Sequence, residues 1–259
     1  MPLNLEPQVR HIFETNTLKL VVCQIRFPTL VKFDEDVAKR FSEFVIENYP
    51  RSEQERQIAV TVGPSAPEPT MNTFWRFRDL KNLWSVALAR DFVSLETSAY
   101  VTYEDFYERL VPVLDAMTAI GLRVRERLGF RYINEIRHPD AASPRAWRRF
   151  LNHELLGLLG GDLLGDDILH ATQDIRLRQD DWLIVLRHGY LGPEPTGGDP
   201  RYLLDFDASH DGGIPLEAAE VLGRLKTFHD TLHDLFEIAI TDDLRDYLKI
   251  KEVIGVRAS

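Results

Sequence analysis

The 259 residues carry a formal net charge of −10, with 44% hydrophobic and 28% charged side chains. That balance suits a packed globular protein and is too apolar for a disordered one. It also opposes non-specific coating of nucleic acid, although a local basic groove stays open. No apolar run approaches the roughly 18 residues that a membrane-spanning helix needs. Met1 to Glu6 has neither the basic nor the apolar region of a secretory signal. Cys23 is the single cysteine, so no internal disulfide forms and a reducing, cytoplasmic setting is expected. Its place in an apolar strand reads as a buried inert thiol rather than a nucleophile.

In chain order, Lys19 to Phe27 alternates with β-branched residues and predicts a strand. Asp34 caps a helix with Val37, Phe41, Phe44 and Val45 at helical spacing, ending before Pro50. Four strands follow, at Gln57 to Val62, Thr73 to Arg78, Trp84 to Ala89 and Phe92 to Thr97, with short hairpin breaks. Tyr103 to Arg127 is the strongest helix, striped by Phe106, Leu110, Val113, Leu114, Met117 and Ile120. Phe130 to Arg137 is a strand, and Ser143-Pro144 opens a helix with Trp147, Phe150, Leu151 and Leu155. Strands come again at Ile168 to Arg178, Trp182 to His188 and Arg201 to Asp207. Pro215 starts a closing helix to Ile240 on Leu222, Leu225, Phe228, Leu232, Leu235, Phe236 and Ala239. Gly63 to Met71 and Gly189 to Pro200 read as loops, and the tail after Leu248 as loosely held.

This order of strand, helix, meander and helix occurs twice. Strands without intervening helices pair antiparallel, so the fold class is α+β rather than a doubly wound parallel sheet. The expected organisation is two similar halves, 1–127 and 128–259, a pseudo-duplication forming one compact unit of a helix-grip or saddle-like kind. Each half lays its long helix on a curved antiparallel sheet.

Gly121 to Phe150 holds eight Arg against three carboxylates, a surplus of five positive charges in an acidic chain. Arg123 and Arg127 fall on the end of the long helix in this reading, where cations complement its dipole. Arg131, Glu135 and Arg137 share one face of the following strand, and Phe130, Tyr132, Asn134 and Ile136 the other. Arg145, Arg148 and Arg149 sit on the first turns of the next helix, a poor place for cations that calls for a partner. That partner is either an acidic patch of the same chain or an external anion. The candidate binding residues are therefore Arg131, Asn134, Arg137, Arg145, Arg148 and Arg149.

Two other groupings bear on chemistry. His229, His233 and Glu237 recur at four-residue spacing, as metal ligands on one helix flank do, though flanking histidines more often bond to the sheet. The zinc-peptidase pattern needs Glu after the first His, and Asp230 stands there. Asp205 and Asp207 share a strand face and could hold a divalent cation or share a proton. The commoner outcome is a charged ladder with Arg176, Arg178 and Arg187 on nearby strands. Phosphate-loop, dinucleotide and nucleophile-elbow patterns are missing.

Gly129-Phe130-Arg131-Tyr132-Ile133-Asn134 resembles a signature block of a sporadically distributed family of uncharacterised prokaryotic proteins of similar length. Gln24-Ile25-Arg26-Phe27, Leu204-Asp205-Phe206-Asp207, and Leu232-His233 with Phe236-Glu237 and Ile240-Thr241 are similar to its other landmarks, in order across the chain. The resemblance implies no established activity. Its patchy occurrence suggests an accessory role, such as antiviral defence or a toxin–antitoxin component.

These readings converge on a non-enzymatic binding, adaptor or regulatory subunit with a protein partner, no cofactor and no membrane span. The alternatives are a metal-dependent hydrolase or nuclease using Asp205, Asp207, His229 and His233, and a nucleic-acid or nucleotide-binding protein using the Arg island. The net charge counts against the last.

Overall fold

A computed structural model describes residues 8–61, 68–193 and 197–256. The fold is α+β with antiparallel pairing. The larger sheet has nine strands, hydrogen-bonded in the order β3-β4-β5-β6-β2-β7-β10-β9-β8, and the smaller pairs β1 with β11. The chain forms two compact units. One comprises Val21–Gly129 and His210–Arg224; the other holds the described parts of Met1–Leu20, Phe130–Ser209 and Leu225–Ser259. They depart from the expected halves 1–127 and 128–259 because three strands run on from one unit into the other. These are β2 (Leu18–Arg26), β7 (Val124–Ile136) and β10 (Arg201–Pro215).

In the first unit, Asp34 Oδ1 accepts the Val37 N–H at 3.2 Å and starts α1 (Glu35–Val45). Val37, Ala38, Phe41 and Val45 make its buried stripe, while Phe44 is exposed rather than part of it. Phe41 stacks on Phe77 of β4 (Glu68–Arg78), which pairs with β3 (Arg51–Thr61). The expected loop at Gly63 to Met71 lies partly outside the described residues, and β4 already begins at Glu68. Asp79 closes the next turn by accepting the Leu83 and Trp84 N–H groups at 2.8 and 3.1 Å. β5 (Trp84–Leu88) and β6 (Phe92–Thr97) complete the meander, and β6 returns against β2. There Cys23 is buried, and burial pushes its thiol up to about 12.

α2 (Tyr103–Ala119) begins at Thr102, whose hydroxyl accepts the Asp105 N–H at 3.2 Å. Phe106, Leu110, Val113, Leu114 and Met117 are all buried, and Phe106 meets Trp84 at 5.7 Å between ring centroids. The helix does not continue to Arg127. Gly121 adopts φ +93°, a left-handed backbone that ends the helix, and β7 begins at Val124. Arg123 and Arg127 therefore lie beyond the helix, not on it.

In the second unit, β8 (His170–Gln179), β9 (Trp182–Leu191) and β10 form an antiparallel meander. β9 thus reaches into the span expected as a loop from Gly189. α4 (Ala218–Ala239) opens at Ala218 rather than Pro215, and its Leu225, Phe228 and Leu232 are buried. Phe228 lies 4.8 Å from Trp182 between ring centroids. Leu235 and Phe236 are half-buried. α2 and α4 are the longest helices among the described residues, at 17 and 22 residues.

Three further features differ from the sequence reading. The helix expected from Ser143 breaks into a 3-10 turn (Pro144–Arg149), a single turn α3 (His153–Leu156) and a second 3-10 turn (Gly157–Gly160). Gly157 with φ +48° interrupts the helical run. After α5 (Asp242–Leu248), the supposedly loose tail forms β11 (Ile250–Val256). It pairs along β1 (Val9–Phe13), a strand the sequence reading did not include.

Candidate functional site

The sheet of the second unit sorts its side chains by strand alternation. Tyr132 of β7 bonds to His229 of α4, so even-numbered residues there face the helix. Arg131, its neighbour, points to the opposite face and meets Asp205. Trp182 likewise faces α4, and Arg187 of the same strand meets Asp205 on the far face.

On that far face Arg131 donates from Nε and Nη2 to the two oxygens of Asp205 at 2.7 and 2.6 Å. Arg187 approaches Asp205 at 3.4 Å, Asp174 at 3.3 Å and Asp207 at 4.0 Å. The Asp205 hydrogen bond raises the Arg131 pKa against the effect of burial. The two aspartates thus sit in the charged ladder weighed above, with Arg187 in its expected place. Arg176 pairs with Asp174 in the same strand.

α4 places His229, His233 and Glu237 on its flank, beneath β1. Glu237 accepts the His11 N–H at 2.9 Å, lies 3.2 Å from the His11 ring, and accepts from Arg245 Nε at 3.2 Å. Arg10 is buried between Asp230 and Asp234, at 2.5 and 2.9 Å, and Lys226 reaches Asp230 at 2.6 Å. His229 Nδ1 lies 2.8 Å from Tyr132 Oη. Burial, with His233 close by, pushes the His229 ring down to about 3. Burial lowers His233 too, and its Nδ1 is buried with no hydrogen-bond partner among the described residues. Asp205 and Asp207 therefore stand on the sheet face turned away from His229 and His233. The four-residue set imagined for a metal hydrolase is not brought together. Among the described residues no group of three or more His, Cys, Asp or Glu side chains could hold a metal ion.

The Arg island is largely answered from within the chain. Arg123 donates to the Thr118 and Leu122 carbonyls at 2.9 and 2.8 Å. Arg125 is fully buried against Glu220 at 2.9 Å, with His210 Nδ1 at 3.2 Å. Arg127 pairs with Asp211 at 3.4 Å. Arg137 donates to Glu135 at 2.9 Å and to the Asp199 carbonyl at 2.8 Å. Asn134 is buried, accepting from Thr17 Oγ1 at 2.8 Å and donating to the Leu204 carbonyl at 3.4 Å. It ties strands together rather than presenting itself to a ligand.

Neither a scan against protein-family models nor a search of curated proteins finds a match to this chain.

What the island leaves at the surface is its last cluster. Arg148 donates to Asp162 at 2.9 Å, Arg145 lies 3.8 Å from the same carboxylate, and Arg149 donates to Asp243 at 2.9 Å. All of these side chains are exposed. Their partners come from the glycine- and leucine-rich segment before β8 and from α5, separations that spacing alone does not reveal.

Proposed function

We propose that this protein is a non-enzymatic binding or adaptor subunit that engages a protein partner through the turn carrying Arg145, Arg148 and Arg149. One observation carries the reading. The groups that could perform chemistry are committed to holding the fold, whereas these three arginines make ion pairs at the surface. Asp205 lies under two arginines, Glu237 between His11 and Arg245, and His229 against Tyr132. Exposed ion pairs contribute only about 0–1 kcal/mol each, so a partner's carboxylates can replace Asp162 and Asp243 at little cost to the fold. Arginine's planar fork suits that exchange.

The family resemblance supports an accessory prokaryotic setting of the defence or toxin–antitoxin type. The lone buried Cys23 supports a reducing cytoplasm. Among the described residues no helix is long and apolar enough to cross a membrane.

The test is the triple variant Arg145→Glu, Arg148→Glu and Arg149→Glu, compared with the unaltered chain in affinity capture from its native cells. Loss of partner capture with a nearly unchanged melting temperature is expected. Full capture by the triple variant would remove the basic turn from consideration.

A further inference from the structure

The segment between α3 and β8 sorts its leucines. Leu156 and Leu159 are buried, whereas Leu158, Leu163, Leu164 and Leu169 are 62%, 80%, 50% and 82% exposed. A slack loop would fold such side chains onto nearby apolar surface, because removing a leucine side chain from water is favourable. This segment is held open instead. Arg148 and Arg145 grip Asp162, and the Arg145 backbone N–H donates to Asp166 at 3.4 Å. Gly157 and Gly165 take left-handed backbone angles, φ +48° and +68°. At the far end the Leu169 carbonyl accepts the Gly192 N–H at 3.1 Å. Exposed apolar side chains grouped in one segment and rimmed by polar ones mark a docking surface.

We infer that residues 157–169 form a docking lobe for a partner protein whose apolar groove is rimmed by lysine or arginine. This rests on the binding reading above and names the partner's chemistry. Charge decides it. From Phe150 to Ile175 the chain holds five carboxylates and no lysine or arginine; Asp162 pairs with Arg148 and Asp174 with Arg187, which leaves Glu154, Asp167 and, 4.0 Å from Arg145, Asp166 as the outward charge. Asp166 and Asp167 are exposed beside the outward leucines. A groove with an acidic rim would be repelled there, and a basic rim would be drawn in and oriented. When a partner carboxylate takes the place of Asp162 on Arg148, the Arg145 N–H bond to Asp166 and the Gly192 N–H bond to the Leu169 carbonyl still hold the segment out.

The experiment places a photo-crosslinking benzoylphenylalanine at Leu158, Leu163 or Leu169 of the full chain in its native cells. Leu80, 68% exposed and outside the lobe, serves as the control position. All three lobe positions should yield one and the same adduct, on an apolar peptide flanked by Lys or Arg. Asp166→Lys with Asp167→Lys should cut its yield about tenfold, as loss of charge complementarity does, and Asp167→Lys alone, which leaves the Arg145 N–H bond to Asp166 in place, should cut it in the same direction. Equal labelling from Leu80, an adduct with a second copy of this chain, an acidic target peptide, or yield indifferent to the two lysines would each overturn the inference. Loss of capture in the arginine triple variant without lobe adducts would sink the lobe alone. Lobe adducts with an ineffective triple variant would sink the basic-turn reading alone.

Discussion

Arg131 clasps both oxygens of Asp205 on the sheet face turned away from α4, while its neighbour Tyr132 reaches the helix through His229. One peptide step thus separates a charged ladder from an apolar seam. The asymmetry of exposure within the pair makes the first prediction. The Asp205 side chain is 3% exposed and that of Arg131 is 39%. Arg131→Ala strands a buried carboxylate with only the longer Arg187 contact and should cost about 3 kcal/mol. Asp205→Ala leaves arginines that can turn to water and should cost less, about 1–2 kcal/mol. Urea unfolding of both variants and the double mutant measures the difference, and equal costs would contradict it.

Arg10 carries the second prediction. Its guanidinium is buried between Asp230 and Asp234, and those partners raise its pKa against the burial that opposes its charge. Arg10→Ala leaves Asp234 buried and bare, with a loss of about 3–5 kcal/mol in chemical unfolding. Deleting Ile250 onward should act in the same direction, since β1 then loses β11, its sheet neighbour among the described residues.

Acid should weaken the fold through its histidines. His229 is held near 3, and His233 and His188 are also lowered, each chiefly by burial. Unfolded histidine titrates at about 6.5, so these groups take up protons more readily once unfolded. Their contribution is complete above about pH 6.5 and is lost as pH falls toward the folded values, by up to about 1.4 kcal/mol per pH unit per histidine. Urea midpoints between pH 7 and pH 4 should show that limb. His229→Gln should flatten it, and an unchanged slope would contradict the assignment.

Gly189 gives a prediction of a different kind. A side chain there would run into the Ala171 carbonyl of β8, the neighbouring strand. Gly189→Ala should loosen β8 from β9, seen as faster amide exchange along His170–Gln179 with slower exchange kept in β7.

Phe228→Ala tests the seam. Its ring is fully buried against Trp182, and removal should cost about 3–5 kcal/mol.

Where periodicity and local caps agreed, the fold was legible in the chain. Phe92 to Thr97 emerged as a strand to the residue, and Asp34 capped the helix it was assigned. Leu122-Arg123-Val124-Arg125-Glu126-Arg127 misled because a helix flank and an alternating strand both accept that pattern; the left-handed turn at Gly121 decides it. The terminal ribbon escaped notice because each of its strands needs the other, and their pairing is not local. For the same reason the charged groups were named without their roles. Arg131 and Asp205 are 74 positions apart, and Arg10 and Asp234 are 224. Composition shows that such charges exist, and only the assembled sheet shows which ones meet.

The pairing of Val9 with Val256 also sets a timetable for synthesis. Of the described strands, β1 leaves the ribosome first and β11 last. Arg10 must therefore wait, solvated, until α4 has been made, and its strand gains an edge partner only afterwards. A nascent chain halted between Pro215 and Ile250 carries every described strand of the nine-stranded sheet and still lacks its clasp. Closure of the ribbon is thus the last of the described strand pairings to become possible, and protection of the Val9–Phe13 amides reports that it has happened.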